Sequence, residues 1–79
     1  MSNSLKYKKA FIEGLGVDDK IITDKLKYND IPEWDSIGHM TLMSNLEEAF
    51  SITLETDDIV DFSSFKKGMD ILGKYKISF

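Results

Sequence analysis

Between Ile37 and Phe50, the apolar residues Ile37, Met40, Met43, Leu46 and Phe50 recur at steps of three and four. That is the spacing of one face of an α-helix. No stretch alternates apolar and polar residues for long. Residues 51–54 come nearest, and they are too few to build a sheet. The chain is therefore expected to be all-α, and the rest of its sequence agrees.

Residues 5–15 read as a second helix, with Tyr7, Phe11 and Leu15 on one face. Gly16 follows, suited to the left-handed position that ends helices. Residues 56–61 form a short helix, its start favoured by Thr56, Asp57 and Asp58. Ile59 and Phe62 are expected to face inward. A last helix over residues 64–75 follows Ser63 or Ser64 as its cap and lines up Phe65, Met69 and Leu72. Gly68 inside it costs about 1 kcal/mol against alanine, which a close approach of another helix or room for a guest would offset. Residues 17–35 have no sustained period. They carry Ile21, Ile22, Leu26 and Trp34, so a loop packed onto the core is expected rather than a free linker.

Seventy-nine residues make one domain over 1–79, because so short a chain cannot bury two cores. Without cysteine it has neither disulfides nor thiolate metal sites. No apolar run approaches the roughly 18 residues of a membrane span, and the N-terminus lacks a signal-peptide core. A cytoplasmic protein is the expectation. The charge is −4 and unevenly spread: between Lys27 and Lys66 there is no basic residue, but there are nine acids. Such a field repels nucleic acid and attracts basic patches on protein partners. Glu47 and Glu48 lie near the C-terminal end of helix 36–50, where the helix dipole mildly disfavours acids. Contact with a partner would explain them.

Ser36 stands in Trp34-Asp35-Ser36-Ile37-Gly38-His39, where the irregular stretch gives way to the regular helix. An Asp-Ser pair there is ordinarily a capping signal. A serine nucleophile paired with His39 lacks a third group to orient the imidazole, so an enzyme is not expected. His39 reads as a surface or cap-region residue. The Asp57-Asp58-Asp61 cluster lacks the spacing and glycine of an EF-hand loop. Three readings of Ser36 remain: a hydroxyl that bears an added group, an interaction module in which it stays unmodified, and a helical adaptor in which it only caps.

The wider pattern resembles the acyl carrier protein family. The resemblance is carried by Asp35-Ser36-Ile37 at a helix start, apolar residues at 40, 43 and 46, Glu47-Glu48-Ala49-Phe50, Ile52, the acidic turn 56–61, and Leu15-Gly16-Val17 closing the first helix. It spans about residues 5–75. It implies a four-helix bundle of three longer helices and one short one, with a long first loop. It also implies 4′-phosphopantetheine on Ser36, transferred from coenzyme A by a phosphopantetheinyl transferase. The arm's thiol would hold an acyl or aminoacyl group for a loading enzyme and downstream biosynthetic enzymes. By the same resemblance, Asp35, Ile37, Met40, Met43, Glu47, Glu48, Asp57 and Asp58 would meet those partners, with core packing the alternative for Met40 or Met43. The carrier would be a monomer that catalyses nothing itself. Many carriers of fatty acid synthesis have acids two and five residues after the serine, where this chain has Gly38 and Thr41. A specialised carrier is therefore expected, and a short or polar cargo, since Phe62 and Phe65 would tend to fill the space that Gly68 leaves.

Overall fold

A computed structural model describes residues 2–79. Four α-helices follow in order: α1 (Asn3–Leu15), α2 (Ser36–Phe50), α3 (Thr56–Asp61) and α4 (Phe65–Gly73), with a 3-10 turn over Asp19–Ile21. There is no strand among the described residues, so the molecule is a small all-α bundle, as its periodicity predicts.

The helix ends follow from local chemistry. Ser2 caps α1, its side chain accepting from the Leu5 N–H, and Gly16 ends the helix at φ 68°. Ser64 caps α4 by accepting from the Lys67 N–H. Helix α2 ends on Ser51 in the left-handed region at φ 53°, a position glycine usually takes. Helix α4 stops at Gly73, so Tyr75 lies outside it, short of the predicted end.

Helices α1 and α2 form the principal pair. Gly14 permits their contact, since a Cβ there would lie 3.0 Å from the Leu42 Cα. Tyr7, Phe11 and Leu15 of α1, Leu42, Met43 and Leu46 of α2, and Phe65, Ile71 and Leu72 of α4 are buried together. The long loop joins this core through Ile22, Leu26 and Trp34, as expected. Backbone bonds tie it down further. The Tyr28 N–H donates to the Ser63 carbonyl (2.9 Å) and the Phe65 N–H to the Leu26 carbonyl (2.9 Å).

Gly68 leaves no room for a guest. A Cβ there would lie 2.1 Å from the Phe62 ring and 2.2 Å from the Tyr7 hydroxyl. That hydroxyl donates to the Phe65 carbonyl. Burial chiefly, and then the charge of Asp70, raises the Tyr7 pKa, so its proton stays in place for this bond.

Candidate functional site

The start of α2 is set by Asp35, not Ser36. Asp35 is extended (φ −104°, ψ −168°), and its Oδ1 accepts from the Gly38 N–H at 2.8 Å. Ser36 is the first helical residue and is exposed, and its hydroxyl has no hydrogen-bond partner among the described residues. The reading of Ser36 as a cap is thus corrected: the neighbouring carboxylate does that work. Gly38 lets the preceding loop fold against this turn, because a Cβ there would sit 2.0 Å from the Glu33 carbonyl oxygen. An acidic side chain two residues after Ser36 is sterically impossible in this arrangement.

Beside Ser36 runs an open groove of about 360 Å³, lined chiefly by Tyr28, His39, Met40, Ile59, Val60 and Phe62. Ile37 (78% exposed), Met40 (57%) and Val60 (75%) form an apolar surface around it. Exposed apolar side chains gathered in one place are the kind of surface that contact sites use. Asp35, Glu48 and Asp57 are exposed too.

The predicted apolar stripe of α2 therefore divides. Met43 is 1% exposed and belongs to the core, so it offers nothing to a partner. Ile37 and Met40 point outward, and Leu42, which the three-and-four count skipped, points in. Val60 was also missed. An Ile59-Val60 pair on a helix of six residues cannot place both side chains inward, and that was the available signal.

His39 lies in the first turn of α2, as the cap-region reading expects, but is half-buried rather than free at the surface. The Trp34 Nε1–H donates to its Nδ1 (2.9 Å), so its Nε2–H donates to the Ile59 carbonyl (2.8 Å). The ring stacks on Trp34 at 17° and meets Tyr28 and Phe62 edge-on. It joins the loop, α2 and α3.

Two acids expected at a partner surface have internal partners. Glu47 is half-buried and accepts from the Leu54 N–H (2.8 Å), which holds the segment after α2. Asp58 is 7% exposed and is turned toward α4. Lys74 pairs with it, and the Tyr75 hydroxyl donates to it at 2.6 Å. These two donors hold the Asp58 carboxyl below the usual carboxylate range. A depressed folded pKa adds stability above the unfolded value, and that stability is lost as pH falls through the folded one. Urea midpoints should therefore drop as pH falls below about 4. Asp58→Asn should flatten that limb, and an unchanged limb would show that the pair does not couple to folding.

No described helix is long and apolar enough to cross a membrane. No family model matches the chain, and no solved structure matches it at a significant level.

Proposed function

We propose that the protein is an acyl carrier. In this reading it holds acyl or aminoacyl groups as thioesters on a 4′-phosphopantetheine arm attached to Ser36 and presents them to biosynthetic enzymes. The observation that carries the reading is an exposed, unbonded Ser36 hydroxyl at the first turn of α2, opening onto an apolar groove. A serine that only caps would have its oxygen engaged, and here Asp35 takes that role. The N–H groups of Ser36 and Ile37 lie in the turn where a helix leaves its donors free, which suits a phosphate ester.

The arm would supply the thiol that a cysteine-free chain lacks. The chain's own residues do the rest. Ser36 provides the oxygen, and Asp35 holds the turn that presents it. Ile37, Met40 and Val60 offer apolar contact, and Asp35, Glu48 and Asp57 steer basic patches of the transferase, the loading enzyme and later enzymes. The carrier works as a cytoplasmic monomer and performs no catalysis. The steric role of Gly38 supports a specialised carrier, since this loop excludes the acid common at that position in carriers of fatty acid synthesis.

Incubation with coenzyme A, Mg²⁺ and a promiscuous phosphopantetheinyl transferase should add one phosphopantetheine to the intact mass. Ser36→Ala should gain nothing and should fold normally, because the hydroxyl holds no internal bond. An unchanged wild-type mass, under conditions that load a control carrier, would favour an interaction module with an unmodified serine.

A further inference from the structure

We propose, on the carrier reading above, that His39 limits the length of the cargo by closing the base of the groove beside Ser36. His39 and Phe62 both line that groove. His39 is fixed at both ring nitrogens, to Trp34 on one side and to the Ile59 carbonyl on the other. A ring held twice and packed against Tyr28, Trp34 and Phe62 has no free rotamer to swing into. Phe62 cannot retreat either, because its ring already lies over Gly68. Behind the pair stand Trp34 and Phe11, both fully buried.

An acyl chain that the arm folds back into the groove therefore meets a closed floor. To reach the interior it would have to break both hydrogen bonds of His39 and expose an indole N–H. The groove itself, at about 360 Å³, lies at the small end of ligand sites, which run roughly 300–1,000 Å³. A dry cavity of about 150 Å³ takes one benzene. By that measure an enclosed space of this size would hold a chain of roughly a dozen carbons, and with one side open the groove shelters on the order of eight. Cargo up to that size would shelter between Met40 and Val60. A longer chain would leave its tail in water.

Ser36→Cys gives this cysteine-free chain a single thiol. That thiol is coupled as a mixed disulfide to butyl, octyl or hexadecyl groups with the alkyl methanethiosulfonates. No transferase takes part, so the readout is independent of whether Ser36 is the natural attachment point. Tm should rise from butyl to octyl and no further with hexadecyl. Nuclear Overhauser contacts from the octyl chain should reach Met40, Ile59 and Val60, and none should reach Phe11 or Leu46. Adding His39→Ala should let the hexadecyl form exceed the octyl form in Tm. A further rise with hexadecyl while His39 is present, octyl contacts to Phe11 or Leu46, or the same cutoff after His39→Ala would each overturn the assignment. Should His39→Ala not fold, the contacts made with His39 in place decide the matter. Failure of the carrier reading is seen separately, as an unchanged mass in the transferase experiment.

Discussion

Trp34→Ala should cost about 3–5 kcal/mol, the usual loss when a large buried aromatic is truncated. A chain of this length holds roughly 4–12 kcal/mol in all, so the variant should give up about a quarter or more of its stability. The size of the effect comes from how much Trp34 joins. It is fully buried, meets Phe11 edge-on at 5.3 Å between ring centroids, and stacks on His39. Its indole N–H also fixes the tautomer that lets His39 reach Ile59. Truncation therefore frees the loop from the core and loosens α3 as well. Trp34→Phe should recover much of the packing yet leave the His39 Nδ1 without its donor, a loss of about 1–3 kcal/mol. Urea unfolding followed by far-UV circular dichroism checks both. A cost below about 1 kcal/mol for Trp34→Ala would be typical of a surface site rather than a core one.

Alanine at two glycines of α4 should act in opposite directions. At Gly68 a Cβ would meet the Phe62 ring and the Tyr7 hydroxyl inside van der Waals distance. Overpacking of this kind costs about 1–3 kcal/mol and sometimes more, which outweighs the gain of about 1 kcal/mol from better helix propensity. Gly68→Ala should lower Tm. At Gly73 nothing lies within 4 Å of the added carbon, so only the propensity gain remains. Gly73→Ala should raise Tm by a few degrees, about what a gain of up to 1 kcal/mol gives in so small a domain. A rise at both positions would mean that Phe62 and Tyr7 yield easily and that the interior is looser than their contacts indicate.

The helices were legible because their signals are local. Period, a capping serine at 64 and a glycine at 16 lie within a turn of the boundaries they set. The bounds of α2 and α3 could be read from the sequence, and those of α1 and α4 to within two residues. Which side of α2 faces inward was not legible from a count of apolar residues. Ile37 and Met40 belong to the same run as Met43, but each step of three turns the run by about 60°, so Ile37 lies across the helix from Leu46. The roles of His39, Glu47 and Asp58 depend on partners farther along the chain: Ile59, Leu54, and Lys74 with Tyr75. A lone histidine or an acidic pair gives no local sign of such a partner. Ser36 was legible as special through its neighbours, but its freedom from capping needed the geometry of Asp35.

The six residues of α3 are too few to be a stable helix alone. The only side chain it buries is that of Asp58. Its anchors are the His39 bond to Ile59 and the Asp58 bonds to Lys74 and Tyr75. The element that walls the groove is thus fastened by polar latches as well as by Ile59 against the core, whereas α1 and α2 are held by apolar packing. Lys74 is exposed while Asp58 is not, so salt screens this pair only in part and barely touches buried apolar contacts. Added salt should therefore loosen the wall of the groove slightly and leave the rest of the bundle as it is.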